Sequence, residues 1–245
     1  MRTGTIIGFI ILLLIIVILG IGVFLLYLEV IDLRGQAEGS PSAPEAIDGR
    51  SVVNLDIDLQ RGSLQIEPGE TFSVRDMHNR PYRASVQGDT FVLDVDRWRH
   101  NNDIVLTLPA DKTFEDVKIS IGGGTLGLRD LSADKMKLSV GGGAITASEI
   151  TARDLQLECG AGKIEFTGNV TEKLDIDHSV GETLVLLDGK ESDFNYEVDY
   201  AVGSVRIGER EYSGISGSDS INNNADKNMT IDSSVGNLEV QFRGE

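Results

Sequence analysis

The sequence VKISIGGGTLGLRDLSADK at residues 117–135 is followed by MKLSVGGGAITASEITARD at residues 136–154 and by LQLECGAGKIEFTGNVTEK at residues 155–173. In each copy, apolar and polar residues alternate on both sides of a glycine turn, as in strands that bury one face. A fourth copy starts at Leu174. Apolar residues and glycines that keep one spacing are typical of stacked supersecondary units. The stretch therefore predicts an all-β, single-domain β-solenoid with a coil period of about 19 residues.

The alternation extends on both sides of these copies. It begins near Val53 and returns at residues 202–207 and 235–240. In the fourth copy Leu184 and Leu186 are apolar where Thr183 and Val185 are due, which predicts a one-residue slip of the strand. The polar stretch SGISGSDSINNNADKN at residues 213–228 predicts a long mobile loop.

Charge and cysteine content exclude several classes of function. The 39 acidic and 22 basic residues give a net charge of −17, whereas binding to phosphate backbones needs clustered Lys and Arg. No nucleic-acid partner is therefore expected, nor docking on an anionic membrane surface. Cys159 is the only cysteine, so an intramolecular disulfide and a multi-cysteine metal site are excluded. No cofactor is predicted.

The N-terminal region predicts a membrane anchor. Residues 3–28 carry no charge, and at about 1.5 Å per residue they exceed the hydrocarbon thickness of about 30 Å. We expect a short cytoplasmic tail at residues 1–4, a transmembrane helix at 5–31, a flexible linker at 32–50 and an extracytoplasmic domain at 51–245. The N-terminal amine and Arg2 carry positive charge before the predicted helix, and Arg34 alone carries it just after the helix. By the positive-inside rule, the N-terminus is then cytoplasmic and the body lies outside the cell, as a single-pass membrane protein.

The repeat resembles a known bacterial family. Apolar alternation around a small-residue–Gly turn, repeated near twenty residues and preceded by a strand that ends in Leu108-Pro109, is similar to the putative-adhesin β-strand-repeat domains of LiaG-like membrane-anchored envelope proteins. The resemblance implies an extracytoplasmic β-solenoid with a role in adhesion or envelope stress, and no catalytic residues. It carries over these glycines as fold determinants: Gly62, Gly124, Gly143, Gly162, Gly181, Gly203 and Gly236.

The best candidate contact site is Arg97, Trp98 and Arg99, followed by two asparagines that indicate a turn. Trp and Arg are enriched in binding hot spots, and an aromatic ring also stacks on sugars. The alternative interpretation is a tryptophan that caps the open end of the core between two arginines whose alkyl stems lie along it.

Two other groups of residues have weaker functional interpretations. Cys159 and His178 share one column on adjacent coils, where burial is the stronger interpretation and a nucleophile–base pair the weaker one. Three Asp-x-Asp pairs are expected on outer strand faces as solvated carboxylates: Asp56/Asp58, Asp94/Asp96 and Asp175/Asp177. An extended strand supplies too few oxygens for a calcium site, so no metal site is predicted.

The predicted function is contact without catalysis, by an adhesin-like or envelope-stress accessory protein. Its partner would be an envelope protein or a cell-wall polymer, and its oligomeric state is left open. Two alternatives remain, a passive structural spacer and a carbohydrate-active enzyme, for which the Asp pairs and Trp98 are the only support.

Overall fold

A computed structural model describes residues 49–78, 80, 82–95 and 102–244 of the chain. The chain has two compact units, Met1–Ala43 and Pro44–Glu245, and all described residues belong to the second. They form nine strands and one short 3-10 turn, Glu191–Asp193. The strands are β1 (Asn54–Gly69), β2 (Ser73–Asp76), β3 (Arg83–Gln87), β4 (Thr90–Val95), β5 (Asn102–Pro109), β6 (Thr113–Leu187), β7 (Phe194–Ile207), β8 (Arg210–Ile221) and β9 (Lys227–Phe242).

Most strands pair in parallel, in a stack of coils. β6 is a continuous 75-residue strand that bends at its glycine turns and covers four coils. β1 lies parallel to the first of these coils, from the pair Asn54 and Asp116 to the pair Ile66 and Leu128. Successive coils of β6 contact each other at glycines nineteen residues apart. The prediction of an all-β fold with stacked coils is therefore confirmed.

The core lies inside the coils, because alternate residues of the coil-forming strands point inward. Inward columns of apolar side chains, such as Leu126, Ile145 and Ile164, are almost wholly buried. Four phenylalanines are among the largest fully buried side chains: Phe91, Phe114, Phe166 and Phe194. A single coil has no second layer to cover this face, so the stack is the smallest unit that buries it.

The order of the coils differs from the order of the chain at both ends. β4 and β5 together pair with the outer side of β1, and the short antiparallel strands β2 and β3 pair with β5 and β4. At the other end the C-terminal strand β9 lies between the last coil of β6 and β7. β8 then pairs antiparallel with β7 and ends the stack.

Two expectations about the second half of the chain are wrong. The predicted loop at residues 213–228 is largely strand, because β8 covers Arg210–Ile221 and β9 starts at Lys227. Most β8 side chains are exposed and none is fully buried, so this strand has no apolar alternation to reveal it. The predicted slip is also absent: Thr183 and Val185 point into the core, and Leu184 is exposed. Register is kept because Thr183 pairs with Leu238 and Val185 with Val240, and a slip would expose both columns.

The predicted transmembrane helix at 5–31 and most of the predicted linker at 32–50 lie outside the described residues. Within the described ranges, no helix has the length and apolar character needed to cross a membrane. Gly49, counted with the linker, is buried, and its carbonyl accepts a hydrogen bond of 2.8 Å from Lys112 Nζ. The folded unit therefore includes the last residues of the predicted linker.

Candidate functional site at the glycine corner

One sharp corner runs along the whole stack and is lined by glycine. Gly62, Gly124, Gly143, Gly162, Gly181, Gly236 and Gly203 lie in a single column, in that spatial order. A Cβ on Gly124 would overlap the carbonyl oxygen of Gly62, and the same overlap recurs from coil to coil. At one end of the column Asn102 takes the place of glycine beside Gly62, and at the other end Gly214 pairs with Gly203. The corner thus presents closely stacked backbone.

The residues that immediately precede these glycines form the outer rim of the corner. Their side chains become larger from the first coils of β6 towards the C-terminal end of the stack. In the first coils of β6 they are Gly123, Gly142 and Ala161. Further along the stack they are larger apolar residues, Val180 in β6, Val235 in β9 and Val202 in β7. In the antiparallel strand β8 the residue in register with them is Ile215, which follows Gly214. Their exposed fractions are 50%, 43%, 55% and 90%. We call these four residues the apolar ridge. A contiguous exposed apolar surface of this kind is typical of an interaction site.

Acidic residues line one side of the apolar ridge. Asp177 pairs in register with Asp232, and Asp232 with Asp199, all three on the outer face and exposed. Paired strands lie about 4.8 Å apart, so the three carboxylates repel one another. We call them the acidic ladder. The ridge and the ladder together form an apolar line beside a line of negative charge.

The described members of the other predicted acidic pairs also lie on outer strand faces. Asp56 and Asp58 are exposed, and Asp175 is half-buried with its carboxylate 2.6 Å from Lys173 Nζ. Asp94 is half-buried, and Asp96 lies outside the described residues. No group of three or more His, Cys, Asp or Glu side chains in the described part of the chain is arranged to hold a metal ion.

The predicted contact site of Arg97, Trp98 and Arg99 lies outside the described residues and stays a prediction. The strands on either side end at Val95 and begin at Asn102, at the same corner of the stack. Beside Asn102 lies a shallow depression of about 460 Å³, lined by Arg61, Ser63, Asp103, Thr125 and the corner glycines. In it Ser63 Oγ donates a 2.6 Å hydrogen bond to Asp103.

Cys159 and His178 are both buried, in one inward column of adjacent coils. Burial raises the pKa of the Cys159 thiol, opposed by the backbone of Gly162. Burial lowers the pKa of His178, opposed by the backbone of Gly181 and by the charge of Asp177. The Nδ1 atom of His178 lies 3.4 Å from Ser233 Oγ. Both shifts favour the neutral forms, whereas a nucleophilic cysteine requires a thiolate. The pair therefore belongs to the core.

The apolar ridge has a signal in the sequence, although the 19-residue spacing alone does not predict it. The valines of Val180-Gly181, Val202-Gly203 and Val235-Gly236 precede corner glycines, where the first repeats have glycine or alanine. The residue that precedes a corner glycine lies on the outer, convex side of the bend and points away from the core. A large apolar residue at this position is therefore exposed. Ile215 has no such signal, because its strand is polar and resembles a loop in sequence.

Comparisons with known proteins give the family. Residues 50–185 match the Toastrack DUF4097 family. A "putative cell adhesion protein" from Clostridium sporogenes is similar in structure, with 14% identity and a TM-score of 0.36 over 83% of this chain and 100% of that one. A "putative adhesin" from Bacteroides fragilis has 11% identity and a TM-score of 0.34 over the same shares. No curated protein gives a significant match. The family match covers more than half of the chain and confirms the resemblance indicated by the repeat: the chain belongs to the Toastrack DUF4097 family.

Proposed function

We propose that the protein acts by contact, without catalysis, as an adhesin-like or cell-envelope-stress accessory protein. In this proposal residues 5–31 anchor it in the membrane, and the stack of coils lies outside the cell. The single observation that carries the contact role is the apolar ridge beside the acidic ladder. Four large apolar residues in register on the outside of a folded domain have no role in its own core.

The stack makes this surface stiff. Val180, Val235 and Val202 each precede a glycine whose backbone is pressed against the next coil. Their neighbours on the inward face, such as His178 and Ser233, are buried in the core. A preorganised surface loses little conformational entropy when it binds, which favours recognition through few side chains. The stacked coils therefore hold the apolar ridge in a fixed conformation that is suited to binding a partner.

The chemistry of the surface indicates the chemistry of its partner. An apolar line fits an apolar groove, and the adjacent acidic ladder fits lysine or arginine on one rim of that groove. The net charge of −17 would steer a basic partner towards the stack over distances of about a Debye length. An envelope protein with a basic rim fits this description better than an uncharged wall polymer.

A triple variant tests the contact role. In Val180→Thr/Val235→Thr/Val202→Thr each side chain keeps its β-branched shape but exchanges a methyl group for a hydroxyl. Each exchange costs about 1 kcal/mol if the site becomes buried on binding, so the affinity should fall about a hundredfold. Pull-down from cross-linked cells of the native host, followed by mass spectrometry, should recover an envelope protein with the wild-type chain and lose it with the variant.

The control makes the opposite exchange away from the ridge. Thr146→Val replaces an exposed threonine two coils away from Val180 and should leave the recovered partner unchanged. Equal recovery with the triple variant would contradict the role of the ridge. Protease shaving would show whether the domain lies outside the cell. If it does and no envelope protein or wall polymer is recovered, the result would favour a passive structural spacer.

A further inference from the structure

β8 leaves one long edge of the stack unpaired. It bonds to β7 on one side, and no described strand pairs with its other side. The antiparallel strands at the opposite end, β2 and β3, have only 4 and 5 residues, whereas β8 has 12. Short edges and edges that carry Pro or charged residues, Lys above all, resist pairing with other chains. β8 is long, has no Lys or Pro, and carries its charged residues Arg210, Glu211 and Asp219 near its ends, away from Ile215. This edge is therefore open to strand addition.

The apolar ridge ends on this edge, with its most exposed member. Ile215 pairs with Val202 on β7 and is 90% exposed. A further strand laid against β8 would cover Ile215 and extend the ridge. Gly214 leaves room for it: a Cβ there would meet nothing within 4 Å, whereas Gly203 and Gly236 in the same column are pressed against a neighbouring backbone.

The local conformation of β8 favours one occupant. Ile215 lies between Gly214, with φ of 139°, and Ser216, with φ of 69°. An antiparallel copy of β8 centred on Ile215 would set Gly214 of each strand opposite Ser216 of the other. The two bends would then coincide, and Ile215 would face Ile215 of the second copy. In the β7–β8 pair, Gly203 with φ of 140° lies opposite Gly214, so a strand that pairs with β8 must bend at the same place, and a second copy of β8 carries such a bend.

We propose that two copies of this chain associate end to end through antiparallel pairing of β8 with β8 about a two-fold axis at Ile215. In this register Glu211 lies opposite Asp219 of the second copy, and the two-fold axis repeats that contact. Like charges directly opposite each other destabilise a strand pair, and salt screens them. Association should therefore strengthen as ionic strength rises. The inference does not depend on the proposed contact function.

Cysteine cross-linking of the full chain in its membrane tests the pairing. Ile215→Cys places two thiols opposite each other at the axis, while the native Cys159 is buried and 2% exposed. Mild oxidation should give a covalent dimer whose yield rises with salt. Two controls should stay monomeric: Ser218→Cys, which would face Tyr212 of the second copy, and Val180→Cys, which is apolar and exposed but three strands from the edge.

A second variant measures association without a covalent bond. Ile215→Lys sets two ammonium groups against each other at the axis and should reduce the dimer fraction of the detergent-solubilised full chain about tenfold in sedimentation. Its melting temperature should not change, because the side chain is exposed. Equal dimer yields for Ile215→Cys, Ser218→Cys and Val180→Cys, no dimer at any salt concentration, or a disulfide from Ile215→Cys to a different protein would each overturn the proposal.

Discussion

Replacing Gly124 with alanine tests whether the corner glycines determine the fold. Gly124 has φ of 147°, and a Cβ would overlap the carbonyl oxygen of Gly62 on the neighbouring coil. Backbone strain at such a φ costs about 1–3 kcal/mol, and forcing an extra methyl group into packed structure costs about 1–3 kcal/mol more. We expect Gly124→Ala to lower the free energy of unfolding by about 2–6 kcal/mol.

Two matched variants separate these causes. Gly214 also has a positive φ, 139°, but a Cβ there meets nothing, so Gly214→Ala should show backbone strain alone, about 1–3 kcal/mol. At Gly123 a Cβ has its nearest atom at 3.6 Å, and Ala161 occupies the corresponding place two coils on. Gly123→Ala should therefore stay within about 0.5 kcal/mol of wild type.

Guanidinium unfolding of the compact unit Pro44–Glu245, followed by circular dichroism, measures all three variants. Equal losses for Gly124→Ala and Gly214→Ala would show that close packing of the coils contributes nothing at this corner. A Gly124→Ala variant as stable as Gly123→Ala would refute both parts of the reasoning.

Three further predictions concern single side chains. Burial lowers the folded-state pKa of His178 from its ordinary 6.5, so stability should be complete above that pH and fall as the pH drops below it. His178→Leu should flatten this part of the pH profile of unfolding, and an unchanged profile would contradict the assignment. Thr183 Oγ1 is buried without a hydrogen-bond partner among the described residues, so Thr183→Val should raise the melting temperature, with a gain of about 1–2 kcal/mol. Asp232 lies between Asp177 and Asp199, so Asp232→Asn should stabilise the protein by about 0.2–1 kcal/mol in low salt and by much less in high salt; a gain that does not depend on salt would be a different effect.

The regular part of the fold could be predicted from the sequence because each coil repeats the same local pattern of residues. Val117, Met136, Leu155 and Leu174 each begin an inward alternation, and a glycine follows at a fixed distance. Local pattern and tertiary contact coincide there, since each coil packs on the next one in the chain.

The ends of the stack could not be predicted, because their contacts are long-range or their strands have no buried face. β9 lies between β6 and β7, an order that no local pattern records. β8 is largely exposed, with no fully buried residue, and resembles a polar loop in sequence. The register of the fourth copy was predicted wrongly because Thr183 is a single polar residue on an inward strand face that Val185 and Leu187 continue.

The candidate site could be predicted only in part from the sequence, because it also depends on pairing between strands that are distant in the chain. Tryptophan and arginine at residues 97–99 indicate a contact site by their residue type alone. Val180 and Val202 are of a type that is common in any β-strand, so their type indicates no site. Their significance is positional: the residue before a corner glycine faces solvent, and register across β6, β9 and β7 turns separate valines into one surface.

The most direct test of the contact role is photo-cross-linking in the native host, with a photoreactive residue at Val180 of the full chain. Val180 lies on the apolar ridge but three strands from the β8 edge, so its adducts do not report pairing between copies. We predict a discrete adduct with one envelope protein, absent when the same residue is placed at Thr146. No adduct at Val180, or the same adducts at both positions, would contradict the proposal that this surface acts by contact.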